Sequence, residues 1–354
     1  MKDTDCSELV TLRGRIDQVN RGILELLNER ARLVLEVQAV KERNDISMFC
    51  PGRENEMLDS IVAGNKGPFS DAVIRQIFKE IFRASLESMQ AAGIEHLKVS
   101  RAQGEQDVVI DVRGHLIGRD PVVIAGPCAI ENAAQASEVA RHLVSRKIHF
   151  MRGGAFKPRT SPYSFQGLGV EALGILDGIR TDFDMVVVTE VTDTRSVDAV
   201  AAAVDILQIG SRNMANYELL RAAGATGKPI LLKRGFAATL DEFMLAAEYV
   251  SREGNENIIL CERGIRTFAR ETRYTLDISA VPLLRQMSRL PVIVDVSHAA
   301  GRRDLVIPLA KAAMAAGASG VMVEVHPSPA HALSDSAQQI DLGEFDELIA
   351  ALKR

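Results

Sequence analysis

The sequence lacks three features that would assign it to common protein classes. It has no apolar run of about 18 residues, the length a helix needs to span a bilayer. Its first residues, MKDTDCSEL, lack the apolar core of a signal peptide. It also has no excess of basic charge, because the formal net charge is -5. These absences argue against nucleic acid or an anionic membrane as the main partner and predict a cytoplasmic protein that binds small molecules.

Cysteine is scarce, and its spacing forms no motif. The four cysteines, at positions 6, 50, 128 and 261, include no CxxC pair. So few cysteines do not make a disulfide framework in a chain of 354 residues. A functional cysteine is therefore expected to act as a thiol or a metal ligand. The length itself suits a barrel-sized unit of roughly 250 residues plus a smaller domain.

The first ninety residues have the apolar spacing of helices. Apolar residues recur every three or four positions from Leu9 to Val40, which predicts one helix about 50 Å long. Shorter helices are predicted over Arg53 to Ala63 and after the cap residue Ser70. The sequence thus predicts an all-α domain over residues 1–90.

Three cations share one largely apolar stripe of the long helix: Arg13, Arg30 and Lys41. Because Arg13 and Arg30 are about 25 Å apart along the axis, one helix cannot bring both to one small molecule. An antiparallel second copy would bring Arg13 of one subunit close to Arg30 of the other. The alternative is a three-helix dimerisation module whose charges only form ion pairs.

After a small, polar linker at residues 91–104, the chain alternates between strand and helix patterns. VVIDVRGHLIG predicts a β-hairpin that plugs or flanks the domain after it. Eight short β-branched runs then recur between helical stretches, and an eightfold β/α (TIM) barrel over residues 105–354 fits their spacing. A doubly wound open sheet is the alternative, but its glycine-rich dinucleotide turn is missing. The eight runs are Val122–Ala125, Ile148–Arg152, Met185–Glu190, Ile206–Ile209, Ile230–Lys233, Ile258–Cys261, Val292–Asp295 and Val321–Glu324.

Charged residues follow the predicted strands, where barrel enzymes hold their active sites. The segment MRGGAFKPRTSP carries three of these cations. Neither the segment nor the chain after it contains a carboxylate before Glu171. A cavity lined by so many cations suits a multiply anionic substrate, or two anionic substrates. The alternative for the segment is a solvated basic loop. The cations predicted to face one cavity are Arg152, Lys157, Arg159, Arg212, Lys233 and Arg263.

Four residues of metal-binding type follow the first, seventh and eighth barrel strands, which become neighbours when the barrel closes. They are Cys128, His298, Glu324 and Asp335. One thiolate, one imidazole and two carboxylates suit a first-row divalent ion better than magnesium or calcium. Taken singly, each residue is more typical of a core thiol, a hydrogen-bonded histidine or a helix cap. Their convergence predicts a metal site.

The motifs GPCAIE, MRGGAFKPRTSPYSFQGLG, QIGSRNM, LLKRG, CERGIRTF, DVSHAAGRRD, MVEVHP and ALSDSAQQ resemble 3-deoxy-D-arabino-heptulosonate 7-phosphate (DAHP) synthase. The resemblance spans roughly residues 105 to 340 and is to the branch with a fused chorismate mutase. KPRT followed by SPY separates it from the related KDO 8-phosphate synthases, which carry an Asn in that loop. The family reaction joins phosphoenolpyruvate to erythrose 4-phosphate, releases phosphate and opens the shikimate pathway.

The resemblance implies a role for each of these barrel residues. Lys157, Glu190, Cys128 and His298 are the implied catalytic residues, with Lys157 transferring a proton and Glu190 orienting a water molecule. Cys128, His298, Glu324 and Asp335 would hold a divalent ion, with Mn²⁺ preferred over Fe²⁺, Co²⁺ or Zn²⁺. Phosphoenolpyruvate would be bound by Arg152, Lys157, Arg212, Lys233 and Arg263, and erythrose 4-phosphate by Arg159, Thr160 and Ser161.

The order Arg13, ERA at 29–31, Lys41, Arg53 with Glu54, and Ser85 resembles the all-helical chorismate mutase family over residues 8–90. The resemblance implies that Arg13 of one subunit and Arg30 of the other bind the two carboxylates of chorismate. Lys41 would then lie at the ether oxygen, and Arg53 and Glu54 would line the pocket of a helical-domain dimer, with a tetramer as the larger alternative.

Two positions depart from the chorismate mutase pattern. Cys50 stands where the family usually has an acid, and Met89 stands where it usually has Gln or Glu. A thioether cannot donate the hydrogen bond that an amide at position 89 would give to the ether oxygen. Two hypotheses stay open: a working mutase, or a module that binds chorismate or prephenate and regulates the barrel.

Overall fold

The computed structural model describes residues 7–43, 51–95, 97–101, 106–158 and 161–353. The chain divides into two compact units, Met1–His96 and Leu97–Arg354. Among the described helices, none combines the length and the apolarity that crossing a membrane requires.

The first unit contains the three predicted helices: α1 (Ser7–Arg43), α2 (Pro51–Ala63) and α3 (Asp71–Glu95). Ser70 precedes α3, and its Oγ accepts a hydrogen bond from the backbone N of Val73 at 3.5 Å. This contact satisfies one of the unpaired N–H groups at the start of the helix.

Much of the apolar surface of α1 is exposed. Ile16, Val19 and Ile23 have 58%, 61% and 50% of their surface accessible. Among the described residues of this unit, only the apolar side chains of Leu58 and Phe82 are buried. A helix of 37 residues gains most of its stability from packing, yet much of this apolar surface is not packed within the unit.

The second unit is the predicted (β/α)₈ barrel, closed by pairing between its last strand and its first. Parallel strands buried on both faces are rich in Val, Ile and Leu, which explains why their sequences mark them clearly. The barrel strands are β3 (Val122–Gly126), β4 (Phe150–Arg152), β5 (Val186–Val191), β6 (Ile206–Ile209), β7 (Ile230–Lys233), β8 (Ile258–Glu262), β9 (Val292–Asp295) and β10 (Gly320–Glu324). The helices of this unit are α4 (Ala133–Ser145), α5 (Val170–Asp182), α6 (Val197–Ala203), α7 (Tyr217–Ala225), α8 (Leu240–Arg252), α9 (Ala280–Met287), α10 (Val296–Ala300), α11 (Val306–Ala315) and α12 (Leu342–Leu352).

The predicted hairpin is present and plugs the barrel. Its strands β1 (Ile110–Val112) and β2 (His115–Ile117) pair antiparallel. Ile110 and Ile117 are fully buried in a cluster with residues from the first half of several barrel strands, such as Phe150 and Ile206. The hairpin therefore closes the N-terminal end of the barrel and leaves the C-terminal end for ligands.

Residues 91–104, predicted as a linker, contain more structure than expected. The helix α3 continues to Glu95. Val99 is buried in the core of the second unit, and its carbonyl oxygen accepts a hydrogen bond from Ser288 Oγ at 2.6 Å. A small apolar side chain and backbone hydrogen bonding thus anchor the segment that begins at Leu97 to the barrel.

Candidate functional site

The four residues predicted as metal ligands come together at the C-terminal end of the barrel. The ligand atoms of Cys128, Glu324 and Asp335 all lie within 4.8 Å of one another. His298 Nε2 lies 3.4 Å from Glu324 Oε1 and 4.0 Å from Asp335 Oδ2. The predicted neighbours β3, β9 and β10 pair side by side, which is why residues so distant in sequence meet here.

Backbone geometry brings the first of these ligands close to the cationic segment. Gly126, at the end of β3, has φ +148°, and a Cβ there would lie 2.0 Å from the carbonyl oxygen of Arg152. Only glycine permits so close an approach between β3 and β4. Asp335 also adopts a positive φ, of 44°, which Asp tolerates better than most residues.

The ionisation of the cluster follows from its burial. Burial, together with the neighbouring Glu324, raises the pKa of the Cys128 thiol to about 11. Burial lowers the pKa of His298, although Asp295 opposes this shift. His298 Nδ1 lies 2.8 Å from Asp295 Oδ2, so Nε2 faces Glu324 and Asp335. A neutral imidazole in this orientation is the form that binds a metal.

A cationic cavity adjoins this cluster. It is lined by all five residues predicted to bind phosphoenolpyruvate. Arg152 and Lys157 come from β4 and the loop after it, and the other three each end or follow a different strand. The lining residues are Arg152, Lys157, Glu190, Gln208, Gly210, Ser211, Arg212, Lys233, Phe236, Arg263 and His298.

Several cations of the cavity have partners that the sequence did not indicate. Arg152 Nη1 lies 2.8 Å from Glu324 Oε1, and Lys233 Nζ lies 2.5 Å from Asp295 Oδ2. Arg152 has no carboxylate near it in sequence, but closure of the barrel brings Glu324 to it from 172 positions away. These pairs reduce the positive charge of the cavity.

Lys157 connects the cationic loop to the cluster of predicted metal ligands. Its Nζ donates hydrogen bonds to Cys128 Sγ at 2.9 Å and to the Cys128 carbonyl oxygen at 3.0 Å. Lys157 is buried, and its pKa is nevertheless raised: burial lowers it, but Cys128 and Glu324 more than compensate. The ammonium group is therefore charged and lies where the cavity meets the predicted metal ligands.

Two buried guanidinium groups keep unpaired nitrogen atoms. Arg263 lies beside the stacked rings of Tyr274 and Phe236, with its Cζ 4.1 Å and 4.8 Å from their centroids. Its Nη1, and the Nε of Arg152, have no hydrogen-bond partner among the residues that the structure describes. Buried donors normally find acceptors, so these atoms indicate a site for an anionic ligand.

The remaining predicted barrel residues are less constrained. Glu190, the last residue but one of β5, is partly buried, and its Oε2 accepts a hydrogen bond from Gln208 Nε2 at 3.4 Å. Ser161 is exposed, and its Oγ accepts from the backbone N of Tyr163 at 3.3 Å. Arg159 and Thr160 lie outside the described residues. The erythrose 4-phosphate site therefore stays a prediction.

Sequence reasoning missed residues that support the site rather than line it. Asp295, buried beneath Lys233 and His298, was noted only as a strand end. Gln338 and Arg273, beside Glu324 and Asp335, were not selected at all. For Asp295 a signal existed, since a carboxylate three residues before a histidine on a short helix faces the same side. For Gln338 and Arg273 the sequence carried no comparable signal.

In the helical unit, the structure constrains Arg30 most. Its Nη1 donates to Ser85 Oγ, and its Cζ lies 4.8 Å from the centroid of Phe82. The adjoining groove between α1 and α3 has a volume of about 530 Å³. Arg13 is exposed on the same straight helix, 17 residues away, so it cannot reach this groove in its own chain. The groove is lined by Leu27, Ala31, Val73, Gln76, Ile77, Glu80, Ile81, Ala84 and Ser85.

Of the other effector-binding candidates, Lys41 is partly buried near the end of α1. Arg53 lies on α2 and pairs with Glu56 at 3.4 Å on the surface. The side chains of Glu54 and Met89, and all of Cys50, lie outside the described residues. Their predicted roles are therefore untouched by this geometry.

Comparison with known proteins identifies both units. Residues 78–354, more than three quarters of the chain, match the DAHP synthetase I family. The chain belongs to this family. Residues 12–90 match the family described as chorismate mutase type II. Both resemblances inferred from sequence motifs are thus confirmed, as is the barrel with an N-terminal helical region.

Similar proteins support the assignment of this chain to the DAHP synthetase I family. A phospho-2-dehydro-3-deoxyheptonate aldolase of Thermotoga maritima is 52% identical over 257 residues, covering 72% of this chain and 76% of that protein. Its crystal structure superposes with a TM-score of 0.71 at 51% identity, covering 73% of this chain and 76% of that one. A 2-dehydro-3-deoxyphosphooctonate aldolase of Nitrobacter winogradskyi is 36% identical, covering 69% of this chain and 91% of that protein. The identity is thus higher to the seven-carbon than to the eight-carbon sugar acid enzyme.

Proposed function

We propose that the barrel condenses phosphoenolpyruvate with erythrose 4-phosphate to give DAHP and phosphate, the first step of the shikimate pathway to the aromatic amino acids. The observation that carries this proposal is the cavity in which five cations adjoin a candidate metal-binding cluster of three residues with His298 beside it. Phosphoenolpyruvate carries a phosphate and a carboxylate, and these cations supply guanidinium forks and ammonium charges for both.

The residues fit a first-row divalent ion. Cys128, His298, Glu324 and Asp335 combine a soft ligand with an imidazole and two carboxylates, and their atoms are close enough to converge on one ion. We propose Mn²⁺, with Fe²⁺, Co²⁺ and Zn²⁺ as competitors. Such an ion supplies Lewis acidity toward the aldehyde oxygen of the sugar phosphate.

The side chains of the chain itself bind and orient the reactants. Arg152 and Arg263 offer their unpaired N–H groups to phosphoenolpyruvate, while Arg212 and Lys233 add charge to the same cavity. Lys157 lies between the cavity and the cluster, where its ammonium group can give a proton to the oxygen formed from the aldehyde.

Two further roles complete this assignment. Glu190 lines the cavity beside Gln208 and can orient the water that attacks the second carbon of phosphoenolpyruvate. We propose that Arg159, Thr160 and Ser161, which follow Lys157 closely in sequence, hold the phosphate of erythrose 4-phosphate.

We propose that the helical unit binds chorismate or prephenate in a pocket shared by two subunits. The exposed apolar surface of α1 supports a second copy as its cover, because an antiparallel copy would bring Arg13 to the groove beside Arg30. Met89 and Cys50 favour weak mutase turnover over an efficient one. The unit therefore serves as a mutase, as a feedback sensor, or as both.

One assay tests the barrel assignment. Purified protein should form DAHP and phosphate from the two phosphorylated substrates, lose the activity on exhaustive treatment with EDTA, and regain it with Mn²⁺. Full activity after metal removal would refute the role given to the four ligands. Replacement of erythrose 4-phosphate by arabinose 5-phosphate provides the control for the eight-carbon reaction.

A second set of variants separates the two hypotheses for the helical unit. Met89→Gln should raise the rate of chorismate decay, since one hydrogen-bond donor at the transition state is worth about 2.7 to 4 kcal/mol in comparable enzymes. Arg30→Ala should relieve inhibition of DAHP formation by prephenate and leave the uninhibited rate nearly unchanged. Unaltered inhibition in Arg30→Ala would refute the sensor hypothesis.

A further inference from the structure

Gln338 is a buried amide beside the metal-binding cluster, and only 2% of its surface is accessible. Its Nε2 donates a hydrogen bond to Glu324 Oε2 at 2.5 Å. Its Oε1 accepts one from Arg273 Nη1 at 2.9 Å. Neither Gln338 nor Arg273 belongs to the ligand set or to the cationic cavity, so this chain of contacts lies outside the site assigned above.

The chemistry of the two neighbours fixes the orientation of this amide. An ionised carboxylate only accepts hydrogen bonds, and a guanidinium only donates them. The NH₂ group of Gln338 must therefore point to Glu324 and its oxygen to Arg273. A reversed amide would place two acceptors together at the buried Glu324 end and two donors together at the partly buried Arg273 end.

The two oxygens of Glu324 consequently have different surroundings. Oε1 lies 2.8 Å from Arg152 Nη1 and 3.4 Å from His298 Nε2, whereas Oε2 is held by Gln338. The backbone N of Glu324 donates to Ser297 Oγ at 2.9 Å. The carboxylate therefore cannot rotate about its terminal bond without breaking the contact with Gln338.

Arg273 extends the same chain to a second ligand. Its Nη1 lies 3.3 Å from Asp335 Oδ2 as well as 2.9 Å from Gln338 Oε1. Two carboxylates of the cluster are thus joined through one amide and one guanidinium, neither of which lines the cationic cavity. Partners of this kind orient metal ligands in many proteins and strongly affect metal affinity.

We propose that Gln338 is a positioning residue for the metal site: it fixes the rotation of the Glu324 carboxylate and, through Arg273, its orientation relative to Asp335. This inference rests on the proposed metal site. The rival explanation is that Gln338 only fills space and satisfies hydrogen bonds in a folded loop. That role would alter stability but would leave the affinity and geometry of the bound ion unchanged.

The test uses Gln338→Met, which keeps the length and removes both hydrogen bonds, and Gln338→Asn, which keeps the amide but is one methylene too short to span both partners. Asn255→Leu is the matched control. Asn255 is another buried amide, which precedes β8 at the opposite end of the barrel and donates hydrogen bonds to two backbone carbonyl oxygens. Mn²⁺ affinity of the metal-free full-length proteins is measured by calorimetry. The absorption spectrum of the Co²⁺ form reports ligand geometry.

Gln338→Met should bind Mn²⁺ about 10- to 100-fold more weakly than the wild type, with an altered Co²⁺ spectrum, and Gln338→Asn should lose less. Asn255→Leu should lower the melting temperature but keep affinity and spectrum. If Gln338→Met does not fold, the Mn²⁺ affinity and the Co²⁺ spectrum of Gln338→Asn test the proposal instead. Wild-type affinity and spectrum in the folded Gln338 variants would overturn the positioning role while leaving the metal site intact. Failure of the wild type to bind either ion would overturn both.

Discussion

Replacing Asp295 tests whether a buried carboxylate, rather than solvent, compensates the positive charge of the cavity. Asp295 is fully buried, and its Oδ2 lies 2.5 Å from Lys233 Nζ and 2.8 Å from His298 Nδ1. Burial alone would raise the pKa of the Asp295 carboxyl, but His298 and Lys233 hold it well below its usual value. The carboxylate is therefore ionised at neutral pH and compensates the charge of Lys233.

Asp295→Ala should be strongly destabilising. Removing one partner of a buried ion pair leaves an uncompensated charge and costs about 3 to 5 kcal/mol. The same change removes the cap of α10, where Asp295 Oδ1 accepts from the backbone N of His298 at 3.0 Å, which adds about 1 kcal/mol. The free energy of unfolding should thus fall by roughly 4 to 6 kcal/mol.

The double variant Asp295→Ala, Lys233→Met should recover most of this loss, because no buried charge is left unpaired. Only the lost cap remains, at about 1 kcal/mol. Thermal and urea denaturation of the two single variants, the double variant and the wild type give the coupling energy, with EDTA present throughout so that metal binding does not contribute. Additive costs, or an Asp295→Ala variant destabilised by less than about 1 kcal/mol, would refute a buried pair of this strength.

Other contacts support three further predictions. Because the pKa of Cys128 is about 11, the thiol must lose its proton when a metal binds, and about one proton per ion should be released at neutral pH. Calorimetry in buffers of different ionisation enthalpy measures this release, and Cys128→Ser should release none. Lys157→Ala should lower kcat by about 100- to 10,000-fold with little change in melting temperature, and the reverse pattern would make the loop structural. Ile110→Ala should cost about 2 to 5 kcal/mol in urea denaturation, because the hairpin side chain is fully buried; a loss below that range would show that the plug is loosely packed.

The barrel was readable from sequence because its strands are buried on both faces. Runs such as Ile206–Ile209 and Ile230–Lys233 contain almost no polar residue before the strand end, and their bounds match the structure. The predicted run Ile148–Arg152 was too long at its start. Regular pairing of β4 with both neighbours begins only at Phe150.

The site was predictable where one rule sufficed, namely that barrel strands end at the functional face. That rule selected Cys128 and Glu324, which the fold brings together, although their role as ligands stays a prediction. It could not identify the pairing of Arg152 with Glu324, because a contact across 172 positions depends on where the barrel closes. Gln338 escaped for a similar reason: a glutamine in a loop has no pattern that reveals its partners.

Closure of the barrel between β3 and β10 has a consequence for how the protein matures in time. Cys128 and Asp335, which meet at 3.5 Å, are separated by 207 positions. During synthesis, the chain therefore carries the first proposed ligand long before the ribosome has made the last. If these residues hold the ion as proposed, the full set of ligands exists only when nearly the whole polypeptide has emerged, and metal loading would be an event of the completed chain.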